Sequence, residues 1–176
     1  MFFITLPYIG TRRYVHSSSF VNCIFDLFPN LNSASFTFSN LSKDTSLILK
    51  ISSSPLQGAV HGVIDKSIYF AFTSANMELD IPTIIAEPPT TNIENLNRTN
   101  FIWNAVANFK HSYQPHFDST TGQPVIAKIE IMNFDKVSWP AKFDYTMRFT
   151  PTRTVCNYTY NGLAVCRQIG ITSNEI

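Results

Sequence analysis

The sequence predicts an all-β fold: an antiparallel β-sandwich or jelly-roll-like barrel with at most one or two short helices. Three observations carry this. Ala141, Phe143, Tyr145, Met147 and Phe149 alternate with Lys142, Asp144, Thr146 and Arg148, the period-two pattern of a half-buried strand. Just before them, Val125, Ala127, Ile129 and Ile131 form a second stripe, broken by Lys128 and Glu130. Just after them, strands over 154–160 and 163–171 flank Asn161-Gly162, a strong hairpin signal.

The earlier elements follow in order. Residues 2–9 form an extended arm or edge strand, because Pro7 cannot donate to a central ladder. Phe20 to Phe28 is apolar on nearly both faces and is assigned as a buried strand, with a helix as the alternative. Phe36 and Phe38 mark one strand, and Leu47, Leu49 and Ile51 another. Residues 59–64 and 67–73 flank Asp65-Lys66 as a hairpin.

Residues 91–110 are ambiguous. Thr91-Asn92-Ile93-Glu94 fits a capping box. Ile102, Ala105, Val106 and Phe109 keep helical spacing, whereas Phe101, Trp103, Ala105, Ala107 and Phe109 alternate as a strand. The reading adopted is a short helix near 92–98 and a strand over 100–110.

The 176 residues suit one domain, 1–176, with an extended N-terminal arm at about 1–10. No internal repeat or glycine-rich phosphate loop is visible. Charged residues make up 14%, against an ordinary quarter or so, which suits a surface partly covered by neighbours. A net charge of +1 and the absence of any basic run argue against general nucleic-acid binding. No apolar run reaches the roughly 18 residues of a membrane span. Secretion is not expected: Met1 to Leu6 is apolar, but no basic segment precedes it and Pro7 comes early.

The densest group of ligand-type side chains runs from His111 to Asp118 and includes His116. Pro115 interrupts it and no third fixed ligand is visible, so neither a metal site nor a catalytic one is assigned there. His61 reads as a satisfied or surface histidine. Asp144 reads as a cross-strand ion-pair member beside Lys142, and Asp135 as a second carboxylate near the central sheet. No catalytic signature motif is present. The catalytic, metal and cofactor assignments are therefore none, and the chain is not expected to be an enzyme.

The function expected is structural: a small virion coat, cement or minor capsid or tail protein. It would contact copies of itself or other structural proteins, in the virion or the host-cell cytoplasm. Phe2, Phe3, Ile4 and Leu6 are its candidate assembly contacts. The alternative is a β-sandwich binding module for carbohydrate or a surface partner, using Trp103 and Trp139.

Cys156 and Cys166 lie on the two arms of the last hairpin. A two-residue turn would put them on opposite faces. A three-residue loop, Tyr160-Asn161-Gly162, would put them directly across from each other, within disulfide range. The three-residue loop is expected, with a disulfide allowed and not required.

Overall fold

The computed structural model describes residues 1–11, 14–40, 43–75, 84–86, 95–113, 124–150 and 152–172. The chain divides into two compact units, Met1–Pro89 and Thr90–Ile176. Among the described residues each has one α-helix and antiparallel strands, so what is described is mostly antiparallel β with two α-helices.

Unit one opens with β1 (Phe2–Thr5), β2 (Tyr8–Ile9) and α1 (Ser17–Leu27). It continues with β3 (Ala34–Phe38), β4 (Ser46–Ser52), β5 (Val60–Ile64), β6 (Ile68–Ser74) and β7 (Ile84–Ile85). Its sheet runs β1-β4-β6-β5-β3, and β2 pairs in parallel with β7. Phe20 of α1 meets Phe72 edge-on, and Phe36 lies against Phe70. These rings are buried, and edge-to-face contacts of this kind add to the stabilisation from burial. The β5–β6 turn uses left-handed Asp65 and Lys66. Asp65 Oδ1 accepts hydrogen bonds from the Asn32 and Ser33 amides, which ties this turn to the chain entering β3.

Unit two holds α2 (Arg98–Tyr113), β8 (Pro124–Ile131), β9 (Asp144–Phe149), β10 (Arg153–Tyr160) and β11 (Leu163–Thr172). Its strands run β8-β11-β10-β9. Phe109 of α2 packs directly over Gly170 of β11, where an added Cβ would lie 2.4 Å from the ring. Tyr158 of β10 donates its hydroxyl proton to the Ala105 carbonyl of α2 at 3.0 Å. These two contacts fix the helix on one face of the sheet.

Several expectations need correction. Residues 17–27 are a helix: Phe20, Val21, Ile24 and Phe25 are buried at helical spacing, while Leu27 is exposed. Residues 98–113 are one helix, and no strand spans 100–110. Its N-cap is Asn97, whose Oδ1 accepts from the Asn100 amide at 2.9 Å. The capping-box residues 91–94 lie outside the described residues.

Of the two readings of residues 2–9, the edge strand forms over Phe2–Thr5, where β1 is hydrogen-bonded to β4 at the end of the unit-one sheet. The alternating strand at 144–149 forms, but its apolar face is not largely buried. Tyr145 is 42% and Phe149 38% exposed, Met147 is half-buried, and Phe143 just before them is buried. The reason is position: among the described residues β9 ends the sheet, with β10 as its one neighbour.

Candidate active site

Two groups of chemistry-bearing side chains among the described residues bear on a possible reaction, one in each unit. The first is the start of α1. Ser17, Ser18 and Ser19 are weak in a helix interior but favoured in its first turn. His16 sits just outside as the N-cap, with extended φ −71° and ψ 145°. Its Nδ1 accepts from the Ser18 amide at 3.3 Å and lies 2.7 Å from Ser18 Oγ.

As N-cap, His16 accepts the Ser18 amide hydrogen bond on Nδ1. A ring nitrogen that accepts from an N–H carries no proton itself. Nδ1 is therefore the basic nitrogen, and the Ser18 hydroxyl is the donor of the 2.7 Å bond. His16 is 3% and Ser18 2% exposed, so water competes little for this bond and the low local dielectric strengthens it. The first turn of α1 contains no acidic residue, so no carboxylate there offsets the positive end of the helix dipole.

The second cluster lies on the α2 side of the unit-two sheet. Thr154, Cys156 and Tyr158 follow one another on the same face of β10 and stand opposite Gly170, Gln168 and Cys166 of β11. Cys156 and Cys166 are free thiols. Burial pushes the Cys156 thiol up to about 11, with the Tyr158 hydroxyl beside it pulling the other way. Burial first, then the neighbouring Cys156 and Glu130, push the Cys166 thiol further up. Burial and the same thiols push the Tyr158 phenol up. Neutral, protonated groups at neutral pH make this cluster a poor source of nucleophile or base. Gln168 is fully buried, and neither Nε2 nor Oε1 has a hydrogen-bond partner among the described residues.

The last hairpin does not have the expected three-residue loop. Tyr160 faces Leu163 across a two-residue turn with Asn161 and Gly162 both left-handed. A bulge at Val165 then shifts the register, so that Tyr158 faces Cys166 and Cys156 faces Gln168. The cysteines share a face as diagonal neighbours, and they are not directly opposed.

The remaining sequence candidates fall in different places. Phe2 and Phe3 are exposed on β1, Ile4 is half-buried, and Leu6 is buried. His61 has a partner, the Gly58 carbonyl at 3.1 Å from Nδ1. Asp135 pairs with Lys136 at 3.0 Å. The His111–Asp118 side chains lie outside what is described. Trp139 packs among Phe101, Phe134 and Phe143, and Trp103 is buried. Neither tryptophan is an open platform for a sugar. Among the described residues no three His, Cys, Asp or Glu side chains converge on a point, and no helix is long and apolar enough to cross a membrane.

No protein-family model matches the sequence, and no curated protein sequence matches it. Solved structures do match. An acyl-ACP thioesterase from Bacteroides thetaiotaomicron aligns over 98% of this chain and 96% of its own, with a TM-score of 0.53 and 10% identity. An oleoyl thioesterase from Lactobacillus plantarum aligns over 97% and 94%, with a TM-score of 0.52 and 6% identity. Similarity at this level is one of fold, the hotdog arrangement of a helix against an antiparallel sheet. The jelly-roll expectation is corrected accordingly. The expectation of a non-enzymatic virion component, with a binding module as alternative, is overturned by the same matches, which are to thioesterases over nearly the whole chain.

Proposed function

We propose that the protein hydrolyses acyl thioesters, with Ser18 as nucleophile and His16 as general base. The observation that carries this reading is the 2.7 Å contact between Ser18 Oγ and Nδ1 of His16. The end-to-end likeness to thioesterase folds supplies the substrate class.

The chemistry follows from the pair. Ser18 Oγ attacks the thioester carbonyl carbon, and its proton passes to His16 Nδ1. The C–S bond breaks, and the leaving thiolate takes that proton. Water then attacks the acyl-serine ester, giving up a proton through the same nitrogen. This releases the carboxylic acid and restores the Ser18 hydroxyl. The positive end of α1 favours the negative charge that develops on the carbonyl oxygen. His16 and Ser18 are 3% and 2% exposed, so the reading requires that a substrate gain access to a buried pair.

The test is thiol release from acyl-CoA and acyl-ACP substrates of varied chain length. The wild type should turn over at least one of them. Ser18→Ala and His16→Ala, shown to be folded by circular dichroism, should each lose about 10²-fold or more. Equal rates in folded variants and wild type would remove the pair from the mechanism.

A further inference from the structure

We propose that β9 is a self-pairing edge, through which two copies of this chain join in an antiparallel arrangement about a two-fold axis at Thr146. The partner is a second copy, and the inference does not depend on the thioesterase reading.

β9 ends the unit-two sheet, with β10 on one side and no strand among the described residues on the other. An edge of this kind presents a row of backbone donors and acceptors to a further strand. Such edges are commonly blunted by proline, by a bulge or by an inward-pointing charge. Asp144–Phe149 contains no proline and pairs with β10 without a register break. Asp144, Tyr145, Thr146 and Arg148 are all exposed.

The charge pattern selects the partner and the register. Asp144 and Arg148 share a face of the strand, and neither has an ion-pair partner among the described residues. Four residues apart in a strand means about 13 Å, too far for them to pair with each other. Placed antiparallel to a second copy with Thr146 facing its counterpart, Asp144 stands opposite Arg148 of the partner subunit, and Arg148 opposite the partner's Asp144. Two ion pairs form at once. Tyr145 then meets Met147 of the partner subunit on the other face, an aromatic–apolar cross-strand pair. Parallel pairing in register would set Asp144 against itself. Centring the axis one residue earlier, at Tyr145, would bring Lys142 against Arg148. The sequence Asp-Tyr-Thr-Met-Arg is complementary to its own reverse in this one register.

The wild-type chain should sediment as a dimer in equilibrium with monomer. Asp144→Arg and Arg148→Asp each put like charges opposite one another twice, and each should raise the dimer dissociation constant about tenfold or more. The double exchange Asp144→Arg/Arg148→Asp restores both pairs and should return it to near the wild-type value. Thr146→Cys gives an independent reading in an unaltered charge background. Facing residues have Cα atoms about 4.5–5.5 Å apart, within disulfide reach, so mild oxidation should link the variant into a covalent dimer. A monomeric wild type, single reversals that leave association unchanged, or a Thr146→Cys variant that fails to cross-link would each overturn the proposal.

Discussion

Gln168 stands directly across from Cys156 on the helix-facing side of the unit-two sheet, fully buried, with neither end of its amide hydrogen-bonded among the described residues. A buried amide without partners costs about 1–3 kcal/mol in lost hydration. Gln168→Met keeps the length of the side chain and removes both polar atoms. It should stabilise unit two by about 1–2 kcal/mol, read as a higher urea midpoint with an unchanged slope. Gln168→Glu, which buries an acid among raised-pKa thiols, should do the reverse at neutral pH. A destabilised Gln168→Met protein would mean that the amide is satisfied in solution by an ordered water.

The thiols beside it, with the Tyr158 phenol, are each pushed up by burial and so weaken folding at alkaline pH. In the folded chain the Cys156 thiol is held up to about 11 from an ordinary value of 9.0, and Cys166 is shifted in the same direction. Between pH 9 and 11 the unfolded chain has released the Cys156 proton while the folded chain still holds it. Folding stability is therefore fully present below pH 9 and falls as pH rises through that window, by roughly 1.4 kcal/mol per unit for each thiol so held. Urea titrations from about pH 8 to about pH 10.5 should show this decline, and the Cys156→Ala/Cys166→Ala protein should show a shallower one. Parallel slopes would place the alkaline sensitivity elsewhere.

Strands were more legible in the sequence than helices, and the helices explain why the site was not. The stripes at 125–131 and 141–149 and the turn at Asn161-Gly162 each mark a real strand or hairpin, because each has contrast between its two faces. Helix α2 is buried at every position from Phe101 to Val106. A helix covered all round loses the periodic contrast that identifies it, so its residues fit a strand equally well. In α1, Phe20 and Ile24 spoiled the strand pattern, and the buried set Phe20, Val21, Ile24 and Phe25 has helical spacing.

Misreading α1 hid the pair. His16 and Ser18 are two residues apart, and in an extended strand they would share a face without Nδ1 turning back onto the Ser18 amide. Only a helix N-terminus makes His16 a cap and brings its ring onto Ser18. The one signal available was a histidine immediately before three serines at the head of an apolar run. Val165 is a similar case, since a single bulged residue undid the expected cysteine register and nothing in the local sequence marks it.

The central claim is that Ser18 takes the acyl group with His16 as its base, and intact-mass spectrometry of the protein quenched in acid during turnover tests it most directly. With an acyl-CoA substrate the account predicts a mass increase equal to one acyl group, located by peptide mapping on Ser18. The adduct should be absent in Ser18→Ala and should form about 10²-fold more slowly in His16→Ala. Turnover with no adduct on Ser18, or with the acyl group on another residue, would contradict the account.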